Sequence, residues 1–134
     1  MVIFKKKKSV LIIDDEQNIL QICSILFSKW GFEAKTADSG AMGVTIAKDS
    51  KFDIILLDVT MPEEDGFEVC LRLRNLPATK NVPVIFLTGL SNPKVVDKAY
   101  EYGATGFVVK PIDSLKLKSK VEEILAISIQ EKEQ

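Results

Sequence analysis

Short apolar runs alternate along the chain with longer segments of helical period. Three of the runs have no polar alternation, which is typical of strands that are covered on both faces. Two shorter strands are predicted where β-favouring residues lie between turn residues. The five predicted strands are residues 9–13, 33–37, 52–57, 82–87 and 105–109.

A predicted helix follows each strand. The first helix carries an apolar stripe that includes Ile19, Cys23 and Phe27, and the last runs from about Asp113 to Ser128. Other residues mark helix ends: Gly31 after the first helix, Ser39 before the second, the loop 61–66 before the third, Ser91-Asn92-Pro93 before the fourth, and Gly103 after it.

The alternation predicts one α/β domain. Strands that are joined by helices lie parallel, and right-handed crossovers place the helices on both faces of the sheet. We therefore expect a three-layer (βα)5 doubly wound sandwich with a five-stranded parallel sheet. Because no repeat or linker interrupts the pattern, the domain is assigned to residues 9–129, with a basic tail at 1–8 and a polar tail at 130–134.

Composition excludes several function classes. The chain has 134 residues and is 46% hydrophobic, which is enough for one core. Its 18 basic and 19 acidic residues leave a net charge of -1, so it lacks the basic footprint of a dedicated nucleic-acid binder. It contains no histidine, which excludes a histidine base or zinc ligand from this chain.

The cysteines and apolar runs indicate a cytoplasmic protein. Cys23 and Cys70 lie far apart in sequence and are expected to be small apolar residues on helix faces. No apolar run is long enough to span a bilayer, so no membrane partner is expected. The N-terminal apolar residues precede the lysine run, which is the reverse of a secretory signal.

Polar side chains follow four of the predicted strands. Ligands of open α/β sheets bind outside the carboxyl ends of the strands, so these side chains are the candidate site. They are Asp14, Asp15 and Glu16 after the first strand, Asp58 after the third, Thr88 after the fourth and Lys110 after the fifth.

The carboxylates favour a hard divalent cation. Three close carboxylates repel one another unless a cation joins them or one is protonated. Mg²⁺ takes oxygen ligands and keeps several waters, so it suits this set. The ammonium of Lys110 and the hydroxyl of Thr88 suit a phosphoryl group. The glycine-rich loops of dinucleotide and nucleoside triphosphate sites are absent after the first strand.

At these residues the sequence resembles the receiver domain of two-component response regulators, closest in size to the single-domain chemotaxis type. The match covers about residues 9–127. The segment Asp58-Val59-Thr60-Met61-Pro62-Glu63-Glu64-Asp65-Gly66 is similar to the phosphorylation loop D-x-x-M-P-x-x-D-G of that family. Gly106 to Pro111 resembles its fifth strand and lysine. The resemblance implies a flavodoxin-like sheet of order 2-1-3-4-5.

The resemblance also implies a role for each site residue. Asp58 would be the phosphoacceptor, and Mg²⁺ would be bound by Asp15, Asp58 and the backbone carbonyl of Thr60, with Asp14 acting mostly through a metal-bound water. Lys110 would pair with Asp58 at rest and with the phosphoryl group afterwards. Two switch residues would respond: Thr88 would move toward the phosphoryl group, and Phe107 would rotate inward. The Lys110–Pro111 peptide bond would be cis.

The resemblance implies partners as well. A sensor histidine kinase or a histidine phosphotransfer protein would supply the phosphoryl group. An output partner would dock on the face of the fourth helix, fifth strand and fifth helix, which includes Val95, Val96, Tyr100, Phe107, Lys116, Lys118 and Lys120. Either a monomer or a phosphorylation-dependent dimer fits. The seven residues after Ile127 hold no effector domain, so the chain is a stand-alone protein or a piece of a hybrid protein.

Two other functions remain open at this point. A hydrolase of the haloacid-dehalogenase kind would need a second aspartate two residues after the nucleophile, where this chain has Thr60. A degenerate receiver would bind partners without phosphorylation, but all the expected site residues are present. Thr60 and Leu90 occupy positions that tune dephosphorylation in the receiver family.

Overall fold

The fold is a parallel sheet with helices on both faces, seen here in a computed structural model that describes residues 6–89 and 92–131. The strands of the described residues are β1 (Lys8–Ile13), β2 (Phe32–Ala37), β3 (Ile54–Asp58), β4 (Thr60–Met61), β5 (Glu64–Asp65), β6 (Val84–Thr88) and β7 (Gly106–Val109). The five longer strands form the sheet, in the spatial order β2-β1-β3-β6-β7, and all their pairings are parallel.

Five helices connect or follow these strands. They are α1 (Gln17–Lys29), α2 (Gly40–Asp49), α3 (Gly66–Arg74), α4 (Pro93–Glu101) and α5 (Ser114–Leu125). The predicted fold class and the order 2-1-3-4-5 of the five sheet strands are therefore confirmed. Within the described ranges, none of these helices has the length and apolar character needed to cross a membrane.

Two apolar layers hold the helices to the sheet. The central strands β1, β3 and β6 contribute to both layers, because alternate side chains point to opposite faces. Leu11 and Ile55 face α2 and α3, whereas Ile12 and Leu56 face α1 and α5. Cys23 and Cys70 are buried free thiols, one in each layer, as predicted for residues on apolar helix faces.

Several predicted boundaries are wrong by one or two residues. Lys8, which the prediction placed in a basic tail, is the first residue of β1, and β2 begins at Phe32 rather than at residue 33. Strand β3 starts at Ile54 and continues through Asp58, and β6 likewise starts later and ends later than predicted, at Thr88. The strand ends shift because the pairing with neighbouring strands decides where a strand stops, not the apolar run alone.

The predicted end of the last helix is also wrong. The helix ends at Leu125 rather than at Ser128, because Ala126 adopts a left-handed backbone with φ of 53°. The chain then turns back, and the N–H of Ile129 donates to Glu122 Oε2 at 2.8 Å. This turn buries the side chain of Ile129, which gains more apolar contact than a further helical turn in solvent would give.

The loop predicted at 61–66 contains a small hairpin. Strands β4 and β5 pair antiparallel, Thr60 with Asp65 and Met61 with Glu64. Glu64 then reaches the N-terminus of α2, where its Oε1 accepts a hydrogen bond of 2.7 Å from the N–H of Gly40. The segment that follows Asp58 is thus held by backbone pairing and by a helix end rather than left as an open loop.

The opening of α4 agrees with the prediction as far as it is described. Asn92 is its N-cap, and Asn92 Oδ1 accepts a hydrogen bond of 3.1 Å from the N–H of Val95. Pro93 is the first helical residue, where a missing N–H costs nothing. Leu90 and Ser91, along with residues 1–5 and 132–134 of the predicted tails, lie outside the described residues.

One guanidinium joins two connections at the opposite edge of the sheet. Arg74, at the end of α3, donates to the carbonyl oxygens of Gly103, at 2.8 and 3.2 Å, and of Val82, at 2.6 Å. It also donates to the Thr79 carbonyl at 3.1 Å. These carbonyls belong to the α3–β6 and α4–β7 connections, so one side chain ties both connections to α3.

We expect Arg74→Ala to lower the free energy of unfolding by about 2–3 kcal/mol, because partly buried carbonyls lose a charged donor. Arg74→Lys keeps the charge but loses the planar fork, so we expect most of the loss to remain. The matched control is Arg72→Ala, which removes an exposed arginine 4.0 Å from Glu64. Urea unfolding measures all three variants, and equal stability of the Arg74 and Arg72 variants would contradict the proposed tie.

Candidate functional site

Three carboxylates lie together at the carboxyl edge of the sheet. Strands β1 and β3 are neighbours in register, with Ile13 opposite Leu57, so Asp14 and Asp58 leave the sheet side by side. Each of Asp14, Asp15 and Asp58 has a carboxylate oxygen within 4.8 Å of an oxygen of the other two. Asp14 is 0% exposed and Asp58 is 1% exposed, while Asp15 is half-buried.

Thr88 and Lys110 come from the next two strands. Strand β3 pairs with β6, and β6 pairs with β7, which places Leu87 opposite Asp58 and Val109 opposite Thr88. The N–H of Lys110 then donates to the carbonyl of Thr88 at 2.7 Å. The side chain of Thr88 is buried at this edge. The sheet therefore places the residues predicted at the strand ends along one edge.

The ammonium of Lys110 contacts three carboxylates. Its Nζ lies 2.9 Å from Asp14 Oδ2, 2.9 Å from Glu16 Oε2 and 3.5 Å from Asp58 Oδ1. The expected pair with Asp58 exists, but it is the longest of the three. Glu16 had no predicted role in binding Lys110, and the only sequence signal was its place directly after Asp14 and Asp15.

Burial and repulsion make Asp58 a weaker acid. The pKa of Asp58 is raised from 3.8 to about 6, first because burial disfavours its charged form and then because Asp14 repels it. The N–H of Thr60, which donates to Asp58 Oδ1 at 3.1 Å, and the charge of Lys110 oppose this rise. The site is therefore short of positive charge around its carboxylates.

Lys110 stays charged in this setting. Burial alone would lower its pKa, but the hydrogen bond with Glu16 and the neighbouring carboxylate of Asp14 outweigh burial and hold the pKa of Lys110 above its usual value. One ammonium thus faces several carboxylates.

The donor set fits a hard divalent cation. Its ligand atoms are carboxylate oxygens, the class that Mg²⁺ prefers, and they lie close enough together to share one ion. Asp14 Oδ2 is fully buried and, among the described residues, has no hydrogen-bond donor of good geometry, although Lys110 lies beside it. A cation at this edge would supply the positive charge that the raised pKa of Asp58 shows to be missing.

The segment after Asp58 approaches the site closely. The N–H of Gly66 donates to the carbonyl of Val59 at 3.2 Å, and a Cβ at Gly66 would overlap the Asp58 carbonyl oxygen and the Val59 Cα. Only glycine therefore allows α3 to begin against the end of β3. Asp65 caps that helix, because its Oδ1 accepts a hydrogen bond of 2.9 Å from the N–H of Phe67.

An open cleft of about 820 Å³ borders the carboxylate cluster at Asp15. Its walls include Asp15, Glu16 and Lys110 on one side and the 59–65 segment on the other. Lys98 of α4 completes the rim, with its Nζ 4.4 Å from the centroid of the Phe67 ring. A small anionic group has direct access from solvent to this cleft.

Phe107 lies on β7, away from the carboxylates. It is half-buried, and its ring packs edge-on against Tyr100 at a centroid distance of 6.4 Å. Tyr100 is 48% exposed, whereas Val95 and Val96 are half-buried in α4. The predicted output face is thus a mixture of core-packing and exposed residues, and the rotation expected of Phe107 stays a prediction.

Comparison with known proteins identifies the family. Residues 10–122 match the family model of the response regulator receiver domain. The chain is similar to a "Probable cyclic di-GMP phosphodiesterase" of Vibrio cholerae, with 37% identity over 84% of this chain and 25% of that protein. It also spans less than half of the length of several other curated relatives.

Solved structures share the fold. The chemotaxis protein CheY4 of Vibrio cholerae superposes with a TM-score of 0.86 at 32% identity, over 90% of this chain and 100% of that chain. The receiver domain of the sensor histidine kinase PA1611 of Pseudomonas aeruginosa superposes with a TM-score of 0.82 at 19% identity, over 91% and 100%. That structure has a magnesium ion coordinated in its active site cleft.

We expect Asp58→Asn to stabilise the protein in EDTA at pH 8. A pKa that is raised in the folded state means that ionisation of Asp58 opposes folding. The stability contributed by the protonated form is fully present below pH 4 and is lost as the pH rises through about 6. The gain for the asparagine variant should thus be about 1–3 kcal/mol at pH 8 and should vanish near pH 4.

Urea unfolding between pH 4 and 8 measures this difference. Asp97→Asn is the matched control, because Asp97 is exposed on α4 and does not belong to the carboxylate cluster. Its effect should not change with pH. If the free energies of unfolding of Asp58→Asn and the wild type differed by a constant amount across this range, the raised pKa of Asp58 would be contradicted.

Proposed function

This chain belongs to the response regulator receiver family of two-component signalling, and from that premise we propose that it accepts a phosphoryl group on Asp58 in a Mg²⁺-dependent reaction. The observation that carries the proposal is the position of Asp58. Its carboxylate is 1% exposed, lies with Asp14 and Asp15 in one cluster, and has the Lys110 ammonium 3.5 Å away.

The chemistry that we propose needs no base from the protein. The Asp58 carboxylate attacks the phosphorus of the donor, an acyl phosphate bond forms, and the bond from phosphorus to the donor's leaving group breaks. The attacking carboxylate must be ionised, and the charge of Lys110 favours that form. Mg²⁺, held by Asp15, Asp58 and the Thr60 carbonyl with Asp14 behind a water, would supply charge neutralisation for the incoming phosphoryl oxygens.

The donor that we propose is a phosphohistidine on another protein. The chain has no histidine of its own, so a histidine kinase or a histidine phosphotransfer protein must supply it. Phosphorylation would then alter the contacts of Thr88 and Phe107 and the α4–β7–α5 face, and so control the binding of an output partner. Such a relay belongs in the cytoplasm, and we propose no direct contact with nucleic acid.

A switch is favoured over a hydrolase by the residue two positions after Asp58. Thr60 Oγ1 lies 3.5 Å from Asp58 Oδ1, but a hydroxyl cannot hold and return a proton near neutral pH as a carboxylate can. We therefore propose that the acyl phosphate persists long enough to signal, with slow self-catalysed loss. A phosphorylation-independent binding module is disfavoured, because Asp14, Asp15, Asp58 and Lys110 meet at one edge.

Incubation with acetyl phosphate and Mg²⁺, followed by intact-mass measurement, tests the function. We expect a gain of one phosphoryl group that is labile to base and absent in EDTA and in Asp58→Asn. Labelling of Asp58→Asn would contradict the assignment of the phosphoacceptor. Rapid continuous release of inorganic phosphate would favour the hydrolase, and no reaction at all would favour the binding module.

Lys110→Ala should keep the fold but separate phosphorylation from the conformational response. The ammonium forms ion pairs with both Asp14 and Asp58, so its loss should leave the phosphoryl group without a cationic partner at the end of β7. Amide chemical shifts of α4 and β7, recorded with and without phosphorylation, measure the response. Wild-type shift changes in this variant would contradict the role of Lys110.

A further inference from the structure

Glu16 stands where a helix cap is expected but does not act as one. It is the N-cap residue of α1, and its side chain accepts no hydrogen bond from the helix N-terminus. Instead, Glu16 Oε2 accepts a hydrogen bond of 2.9 Å from Lys110 Nζ, which lies 94 positions later in the chain. Its backbone N–H donates to Asp14 Oδ1 at 2.9 Å, so the residue is held at the edge of the carboxylate cluster.

We propose that Glu16 is a positioning residue that holds Lys110 away from Asp58 before phosphorylation and gives it up to the phosphoryl group afterwards. The inference rests on the proposed function. It adds that the carboxylate bound by Lys110 regulates how readily the ammonium binds the phosphoryl group. Glu16 would act through Lys110, whose ammonium its carboxylate binds.

The three distances to Lys110 support this order of contacts. Nζ is in hydrogen-bond range of Asp14 and Glu16 at 2.9 Å, but at 3.5 Å it is beyond good range of Asp58. A phosphoryl group on Asp58 would carry its oxygens into the cleft, so Nζ has to move toward the cleft to bind them. Movement in that direction requires at least one of the two short contacts to weaken.

Exposure decides which contact is released. The side chain of Glu16 is 52% exposed, whereas that of Asp14 is 0% exposed. A carboxylate that returns to water loses little, but a buried carboxylate without its cation is costly. Lys110 therefore keeps Asp14 and exchanges Glu16 for the phosphoryl group.

This exchange predicts that the charge of Glu16 disfavours the phosphorylated state. As long as Glu16 is charged, it competes with the phosphoryl group for one ammonium. A neutral side chain of the same size competes less, so the phosphorylated state gains relative to the unphosphorylated state. The competition between exposed charges weakens at high ionic strength.

Glu16→Gln tests the proposal by acetyl phosphate labelling with Mg²⁺, with the phosphorylated fraction read by intact mass. At low salt, we expect the ratio of the phosphorylation rate constant to the dephosphorylation rate constant to rise roughly two- to fivefold, which corresponds to the free energy of an exposed ion pair. At high salt, the ratio should fall toward that of the wild type. A ratio that is unchanged at low salt would overturn the proposal. A lowered ratio with weaker Mg²⁺ dependence would also overturn it, since Glu16 would then be a metal ligand.

Glu68→Gln is the matched control for charge alone. Glu68 is exposed in the first turn of α3, outside the lining of the cleft, and the described residues give it no ion pair with Lys110. This variant should keep the wild-type ratio. An increase equal to that of Glu16→Gln would mean that general repulsion of the anionic donor causes the effect, and the proposal would fail.

A Lys110→Ala background tests whether Glu16 acts through the ammonium. In that background Glu16→Gln should have no further effect on the ratio, whereas an undiminished effect would overturn the proposal. Lys110→Met, which fills more of the vacated volume, serves the same purpose if the alanine variant unfolds. Labelling of the wild-type protein in the same series distinguishes the two proposals. If the wild type is not labelled, the proposed function itself is refuted.

Discussion

The repulsion among buried carboxylates at the end of β1 and β3 is the constraint on which the site depends. Asp14 and Asp58 are almost fully buried and Asp15 lies against them, yet one ammonium is the cation that the described residues bring to them. The arrangement is costly for folding, and the raised pKa of Asp58 is its direct sign. A site of this kind is poised to take up positive charge and then an anionic group that shares it.

The rest of the fold holds those charges in place. Parallel pairing of β1, β3, β6 and β7 in register sets the side chains of four strand ends within reach of one another. The glycine at position 66 and the β4–β5 hairpin bring the following segment against Asp58. Arg74 stabilises the other edge of the sheet, where loops need only connect the elements. Stability and reactivity are thus separated between the two edges.

Lys110 links the chemistry to the sheet. Its backbone N–H is fixed to Thr88, while its side chain is divided among Asp14, Glu16 and Asp58. A change in any one of these carboxylates therefore alters how strongly the ammonium interacts with the other two. The strand that precedes Lys110, β7, carries Phe107, whose ring packs against Tyr100 of α4.

The sequence by itself determined the fold class and the composition of the site. Apolar runs without alternation predicted buried parallel strands. The polar residues that follow them, Asp14, Asp58, Thr88 and Lys110, lie along one edge because parallel strands end at one edge. Cap residues such as Ser39 and Asn92 were also readable, since their hydrogen bonds are local.

Only the tertiary structure decided the contacts that have no local signature. The preference of Lys110 for Glu16 and Asp14 over Asp58 depends on side-chain reach across 94 residues of sequence. The left-handed turn at Ala126 leads to the buried side chain of Ile129, and nothing in the helical period of α5 predicts it. Local sequence sets what a residue can do, but burial and pairing register set which distant charge or apolar surface it meets.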